Sequence, residues 1–240
     1  MSRLRIAAVS LAVLALGWLA LSYELLPDLW SRHERDRPTG TVPDALPKVT
    51  RDAEDIPGDP LNVSLVGDRE DLVLAMQAID WQPADAVTFD SSVRIAASVA
   101  FDRPDPAAPV SPLYLFGRPQ DFAFEREIGS SADRRHHVRL WLVESSAAKR
   151  LDDSGRPVWI GSASLDIGSG VSHLTGEITH HIGPDLDAER DGLFADLARA
   201  DQLVSRTQVN GVGATSDGRN AGGDHYFTDG KMDVGVLPER

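Results

Sequence analysis

Hydrophobic and polar positions alternate over four consecutive segments in the middle of the chain. The segments are 121–128, 136–144, 157–167 and 174–182, and turns rich in polar residues or glycine separate them. Alternation with a period of two is typical of a strand with one buried face. Because consecutive strands joined by short loops usually pair side by side, the four segments predict an antiparallel meander.

Apolar residues at helical spacing surround the meander. They predict helices from about 68 to 81, over 91–101, and from 187 to 203. Further short strands are predicted at 61–66 and 204–209, and the turn Asp229-Gly230-Lys231 predicts a C-terminal hairpin between 225–228 and 232–236. The pattern therefore predicts an α+β fold, in which an antiparallel sheet (meander plus C-terminal hairpin) carries helices packed mainly on one face.

Two loops interrupt this pattern. Residues 103–119 contain five prolines, and we interpret the segment as an ordered cover over the core or as a functional loop. Residues 210–224 contain five glycines but lack the lysine of a phosphate-binding loop. This second segment is predicted to be flexible surface, with a lid over a cleft as the alternative.

The N-terminus predicts export. Arg3 and Arg5 precede 6–23, eighteen residues without a charge, which is about the lower limit for crossing a bilayer. The basic flank predicts a cytoplasmic N-terminus, with the rest of the chain on the periplasmic or extracellular side of the inner membrane. A cleaved signal peptide, with Ala20-Leu21-Ser22 at the cleavage site, is the rival interpretation. The predicted organisation is a membrane anchor at 1–23, a proline-rich charged linker at 24–58 and a globular domain at 59–240.

Composition excludes several classes of protein. The net charge of −13 argues against nucleic acid as a partner, because phosphate backbones are bound by basic surfaces. The absence of cysteine excludes disulfides, thiolate metal sites and a cysteine nucleophile. A hydrophobic content of 42% is sufficient for a folded core.

Two adjacent histidine pairs define the candidate chemistry. In the second meander strand, His136 shares a face with apolar residues, whereas His137 shares the other face with Arg139. The same parity places His180 between isoleucines and His181 on the opposite face. If the apolar faces point at the helices, His136 and His180 lie at the edge of the core. His137, Arg139 and His181 would then line an open groove; the rival geometry brings the core-facing pair together over the strand ends.

The segment after the second pair adds charged groups at a predicted helix start. The full candidate set is His137, Arg139, His181, Asp185, Asp187 and Arg190. Histidine titrates near neutral pH, so these groups predict an acid–base or phosphate-binding site. A divalent metal held by imidazole and carboxylate is a second interpretation, although the spacing matches no standard motif. A third is a structural network of helix caps and backbone contacts.

Several long motifs resemble the LssY C-terminal domain family of bacteria. They are Asp59-Pro60-Leu61-Asn62-Val63, residues 109–118, residues 134–141 and residues 179–191, in this order along the chain. The resemblance implies a domain of unestablished activity that often follows multi-span membrane regions of the lipid-phosphate-phosphatase or DedA-like type. Such a membrane region is absent from this sequence, and the family supplies no catalytic residues to carry over.

Two hypotheses about function follow. In the first, the exported domain is a hydrolase that acts on a phosphate-bearing lipid or envelope precursor. In the second, it is a membrane-tethered binding or scaffold module that senses an envelope ligand. The paired histidines favour the first hypothesis, and the absence of an obvious nucleophile favours the second.

Overall fold

The fold is described from a computed structural model of the chain. It describes residues 40–84, 113–129, 131–144, 146–171 and 178–240, without the side chains of 131–133, 169–171 and 178–180. The strands in these ranges are β1 (Gly40–Thr41), β2 (Val49–Arg51), β3 (Pro57–Pro60), β4 (Val63–Val66), β5 (Gln82–Pro83), β6 (Tyr114–Leu115), β7 (Arg118–Pro119), β8 (Phe122–Ile128), β9 (Ser131–Leu142), β10 (Val158–Val171), β11 (Ile178–Ile182), β12 (Ser205–Asn210), β13 (Thr215–Arg219), β14 (His225–Thr228) and β15 (Lys231–Val236). The helices are α1 (Arg69–Ala78), α2 (Leu186–Arg199) and a 3₁₀ helix at Ser146–Arg150.

A nine-stranded sheet forms the centre of the molecule. Its order is β1-β12-β15-β4-β10-β9-β8-β5, and β11 also pairs with β10. Strands β8, β9, β10 and β11 pair consecutively and antiparallel, so the predicted meander is confirmed. The long strand β10 pairs along one edge with β9, and it pairs with β4 at its start and with β11 at its end.

The sheet as a whole is mixed, which corrects the antiparallel prediction. Strand β15 runs parallel to β4, and β1 runs parallel to β12. The predicted C-terminal hairpin is also wrong: β14 pairs with β13, whereas β15 pairs with β12 and β4. The turn at Asp229-Gly230 therefore joins two different sheets, and strand partners of this kind depend on contacts distant in sequence.

Strand β13 lies inside the segment that was predicted to be flexible surface. Gly218 lies on β13 opposite Tyr226 of β14, and a Cβ at Gly218 would come within 2.3 Å of the Tyr226 ring. The glycine thus gives the aromatic ring a flat backbone surface to cover. The second half of this glycine-rich segment is consequently part of the folded body.

Both described α-helices pack on one face of the large sheet, as predicted. The apolar residues of this face include Leu72 and Met76 of α1, Leu193 and Phe194 of α2, and Trp159 of β10. Helix α1 begins at a capping box, in which the Asp68 backbone N–H donates to Asp71 Oδ2 at 3.0 Å. Apolar residues spaced three and four apart along each helix account for this packing.

The opposite face of the sheet carries a second apolar core. It includes Val42, Leu46, Leu115, Trp141 and Ile160, and segments around β2, β3, β6 and the 3₁₀ helix cover it. The structured region therefore starts before residue 59, because β1 pairs with β12 and Val42 is buried. Apolar side chains scattered through the proline-rich stretch give it enough burial to join the fold.

Close contacts fix the centre of the sheet. A Cβ on Gly161 would lie 2.1 Å from the carbonyl oxygen of Arg139, so glycine lets β10 approach β9 at this point. The Asn62 side chain fills the gap between β4 and β11, donating to the Ala163 carbonyl at 3.0 Å and accepting from the Ala163 N–H at 2.8 Å. These contacts hold the β10 backbone where the polar residues described below begin.

Two predictions fall outside the described residues: the helix at 91–101 and the N-terminal segment at 1–23. Within the part of the chain that the structure describes, no helix has the length and apolar character needed to cross a membrane.

Candidate functional site

A layer of buried polar side chains follows the second apolar core along strands β8, β9 and β10. On the face that carries Ile160, strand β10 continues with Ser162, Ser164 and Asp166. Their partners on β9 are polar as well, and together they form the buried polar layer: Glu125, Arg135, His137, Arg139, Ser162, Ser164 and Asp166. Polar alternation on neighbouring strands thus concentrates charge on one buried face.

Arg135 is well compensated within this layer. Its guanidinium lies 2.8 Å from a Glu125 oxygen and 3.0 Å from Asp166 Oδ2. The same Asp166 oxygen lies 3.7 Å from His137 Nδ1. Since buried ions are stable only when paired, Arg135 with its two carboxylates is a self-sufficient unit of the layer.

Arg139 is compensated far less. Its nearest carboxylate in the described structure is Asp59, at 3.9 Å from Nη1, and its Nε atom has no hydrogen-bond partner. Burial lowers the pKa of Arg139 below the ordinary arginine value, and the charges of Asp166 and Asp59 only partly offset this. A buried and poorly paired guanidinium is a costly arrangement in a folded protein.

A line of contacts runs from Arg139 through Asp59, Asn220 and Asp224 to His181, and we call it the polar chain. Asn220 donates through Nδ2 to Asp59 Oδ1 at 3.1 Å, and its Oδ1 accepts from the Asp224 backbone N–H at 2.9 Å. Asp224 Oδ1 then lies 2.6 Å from His181 Nδ1. The chain connects the buried guanidinium to a partly exposed imidazole.

Asp59 is itself perturbed. Burial raises the pKa of Asp59 above its ordinary value, although Arg139 and the Asn220 hydrogen bond act in the opposite direction. Burial and the nearby Asp59 charge also raise the pKa of the Tyr226 hydroxyl. Perturbed titratable groups that cluster in this way are a common property of functional sites.

The pair of His181 and Asp224 has the geometry of an acid–base dyad. The second Asp224 oxygen accepts the Ile182 backbone N–H at 3.0 Å, which fixes the carboxylate, and the His181 side chain is 22% exposed. When the Asp224 carboxylate accepts a hydrogen bond from Nδ1–H, the lone pair of the neutral imidazole is on Nε2. This contact orients the His181 ring as a histidine general base is oriented by its carboxylate partner.

The structure separates the predicted site residues into two groups. His137 and Arg139 lie in the buried polar layer, and the polar chain joins Arg139 to His181. Asp185 instead caps helix α2, with Oδ1 accepting from the Ala188 N–H at 3.0 Å. Asp187 accepts from the Thr228 hydroxyl and from the Asp229 N–H, each at 2.7 Å.

Arg190 forms the centre of a separate network. Its nearest carboxylates are Asp229 at 2.8 Å, Asp191 at 3.0 Å and Asp187 at 3.3 Å. These contacts join α2 to the turn between β14 and β15. The arrangement corresponds to the structural interpretation of the charged helix start.

The burial of His137 and Arg139 overturns the prediction that these residues line an open groove. His137 is fully buried and Arg139 is 6% exposed, because residues on β3 and in 220–226 fold across this face of the sheet. His136 lies on the helix face, as its parity predicts, with Nδ1 at 2.7 Å from Glu189 of α2. The side chain of His180 lies outside the description.

Sequence reasoning missed Asp59, Ser162, Ser164, Asp166, Asn220 and Asp224. The period-two spacing of Ser162, Ser164 and Asp166 was a usable signal, because one face of a buried strand is apolar in most sheets. Asn220 and Asp224 belong to a glycine-rich segment with no periodicity. Only the pairing of β13 with β14 brings them beside β11.

In the ranges that the structure describes, no three histidine, aspartate or glutamate side chains are grouped closely enough to hold a metal ion. The divalent metal therefore stays a prediction from the sequence.

The fold and the site define an α+β domain with a mixed sheet, helices on one face and a buried polar layer on the other. A family model described as LssY C-terminus matches residues 43–232, and the chain belongs to this family. No curated protein and no solved structure matches the chain.

Proposed function

We propose that this domain is a hydrolase that acts on a phosphate-bearing lipid or envelope precursor and uses His181, held by Asp224, as its acid–base group. The observation that carries the proposal is the polar chain, which links a partly exposed imidazole to a buried guanidinium through Asp224, Asn220 and Asp59. Phosphate ester hydrolysis needs a proton acceptor for water and a positive charge beside the phosphoryl oxygens.

The proposed reaction uses water as the nucleophile. His181 Nε2 accepts a proton from water while the water oxygen forms a bond to phosphorus. The bond between phosphorus and the leaving oxygen breaks, and the imidazolium returns its proton to that oxygen. Asp224 keeps the ring oriented and stabilises the imidazolium, as carboxylates do in other histidine dyads.

The N-terminal sequence supports a location for this activity. The uncharged stretch 6–23 behind Arg3 and Arg5 supports a single membrane anchor with the domain outside the cytoplasm. A periplasm-active reporter fused after Arg240 is expected to be active, and a reporter active only in the cytoplasm is expected to be silent. The opposite pattern would contradict the exported arrangement.

Turnover of phosphate esters tests the hydrolase. Full-length protein in detergent is assayed for released phosphate with lipid phosphates and soluble phosphate monoesters. His181→Ala is expected to lower kcat by about 10²–10⁴-fold, the usual contribution of a general acid–base group. Asp224→Asn should lower it as well, since the amide cannot stabilise the imidazolium.

His136→Ala is the matched control. His136 forms a 2.7 Å contact with Glu189 on the helix face, much like the 2.6 Å contact of His181 with Asp224. This substitution should leave kcat unchanged. Equal losses in both histidine variants would assign the loss to stability rather than to chemistry.

A binding or scaffold module is the second candidate function. It is favoured by the burial of His137 and Arg139, which resembles a ligand-holding interior more than an open catalytic cleft. Binding of a phosphate-bearing ligand without release of phosphate, in wild type and His181→Ala alike, would support this candidate against the hydrolase.

A further inference from the structure

The buried polar layer contains three adjacent groups whose hydrogen-bonding capacity is unused. They are Arg139 Nε and the hydroxyls of Ser162 and Ser164, which have no hydrogen-bond partner in the described structure. Arg139 is 6% exposed and each serine is 1% exposed. Buried polar groups of this kind lower the stability of the fold unless a ligand or an ordered water forms hydrogen bonds with them.

We infer that Arg139, Ser162 and Ser164 form a binding site for an oxyanion, the phosphate group of the ligand. Ser162 lies directly opposite Arg139 in the pairing of β10 with β9, and Ser164 follows two residues later on the same face. Three donors on neighbouring strands thus point to the same side of the sheet. This phosphate site deepens the proposed function. Binding of phosphate at the site does not depend on the hydrolase, and only the role of the site in catalysis rests on the proposed function.

The neighbouring acids leave these donors available. Arg135 already engages Glu125 and Asp166 at 2.8 and 3.0 Å. Asp59 approaches Arg139 only to 3.9 Å, and its Oδ1 accepts the Asn220 hydrogen bond. Arg139 is therefore the cation of this layer with the weakest pairing to a carboxylate in the described chain.

The chemistry of the three groups favours an anion. Nε and the adjacent guanidinium nitrogen form a planar fork that suits two oxygens of one phosphate. Serine hydroxyls add two donors that carry no charge. A cation would be repelled by Arg139, whose charge is the least compensated in the layer, which leaves an oxygen-rich anion as the suitable ligand.

Inorganic phosphate is the probe. Full-length protein in detergent is titrated with phosphate, and with chloride at the same ionic strength, while the melting temperature and the ³¹P line width are followed. A saturable rise in Tm with phosphate alone is expected, because a ligand that binds only the folded state stabilises it. No phosphate-specific change in either signal would overturn the inference.

Substitutions locate the site. Arg139→Lys keeps the charge but loses the fork, and it is expected to raise the phosphate Kd at least tenfold. The double variant S162A/S164A removes only two hydroxyl oxygens, so it supplies the test if Arg139→Lys does not fold, and it should also weaken binding. Unchanged affinity in the double variant and in any folded Arg139→Lys protein would overturn the inference.

Ser64→Ala is the matched control. The Ser64 hydroxyl is also buried and has no hydrogen-bond partner in the described part of the chain, but Ser64 lies opposite Ile160 rather than an arginine. Loss of the Ser64 hydroxyl should leave phosphate affinity unchanged. If Ser64→Ala weakened phosphate binding as much as the double serine variant does, the assignment of the site to Arg139, Ser162 and Ser164 would be contradicted.

The two proposals fail in different ways. If phosphate binds at Arg139 but no phosphate ester is turned over, the hydrolase fails and the binding site stands. If esters are turned over while Arg139→Lys or the double serine variant changes neither KM nor phosphate affinity, the binding site fails and the hydrolase stands.

Discussion

Arg139 and Arg190 are both buried, yet their surroundings differ. Arg190 on α2 has four carboxylates within 4 Å, those of Asp187, Asp191, Asp229 and Asp233. Arg139 on β9 has only Asp59, at 3.9 Å, in the described structure. Burial acts against the charge of Arg190, but its hydrogen bonds to the Asp229 and Asp191 carboxylates outweigh burial and raise the pKa of Arg190. For Arg139 burial dominates and its pKa is lowered.

The difference separates a structural role from a binding role. The Arg190 network is complete and holds α2 against the turn that leads from β14 to β15. The surroundings of Arg139 are incomplete, because its Nε and the hydroxyls of Ser162 and Ser164 have no hydrogen-bond partner among the described residues. A buried guanidinium surrounded by carboxylates stabilises the fold, whereas one with a single distant carboxylate can still bind an anionic ligand.

The largest effect is expected for Arg190→Met. The substitution removes the cation from four carboxylates and should cost about 3–5 kcal/mol, the usual result of breaking a buried ion network on one side. Urea unfolding measures it. Arg199→Ala on the same helix is the control, since Arg199 is 74% exposed and its loss should cost less than about 1 kcal/mol. Equal costs for the two variants would contradict the structural role of Arg190.

Substitutions in the two histidine–carboxylate pairs are expected to have the next largest effect on the free energy of unfolding. His181→Ala and His136→Ala each remove a hydrogen bond to a carboxylate, so each should cost about 1–3 kcal/mol of unfolding free energy. Thermal melts measure this. Only His181→Ala should remove activity. A stable His181→Ala protein with full turnover would disconnect the dyad from function.

A smaller effect is expected for Arg139→Met. Arg139→Met removes the cost of burying a poorly paired charge, and this gain offsets the lost 3.9 Å contact with Asp59, so the free energy of unfolding should change by about 1 kcal/mol or less. Phosphate binding should be lost in the same protein. A destabilisation as large as that of Arg190→Met would show that Arg139 is structural and remove the contrast between the two arginines.

The smallest expected effect is a difference between the Asp59 and Asp229 variants in how their stability depends on pH. Burial raises the pKa of Asp59 above 3.8, so its contribution to stability is present below pH 3.8 and is lost as pH rises through the folded-state value. For Asp59→Asn, the Tm relative to wild type should therefore increase from pH 4 to pH 7.

Asp229 should show the opposite sign. Burial acts to raise the pKa of Asp229, but hydrogen bonds from Arg190 and the Lys231 backbone outweigh it and lower the value below 3.8. Its contribution is present above pH 3.8 and is lost as pH falls through the lowered pKa. Asp229→Asn should be most destabilising at neutral pH. Parallel pH profiles for the two variants would contradict the comparison.

The sequence alone determined the local elements. Period-two alternation located β8 to β11, and helical spacing located α1 and α2 within a few residues. Parity also separated His136 from His137 correctly, because side-chain direction along a strand depends only on local backbone geometry. Family membership was likewise contained in the sequence motifs, and the family model confirms it.

Only the tertiary structure decided strand partners and burial. The parallel pairing of β15 with β4 and the pairing of β14 with β13 join residues distant from the local turn signal at Asp229-Gly230. The polar chain unites Asp59, Asn220 and His181 from three remote segments. Local patterns specify which face a residue occupies, but whether that face is open or covered depends on segments that fold across it. That is why Arg139, predicted to line a groove, is buried.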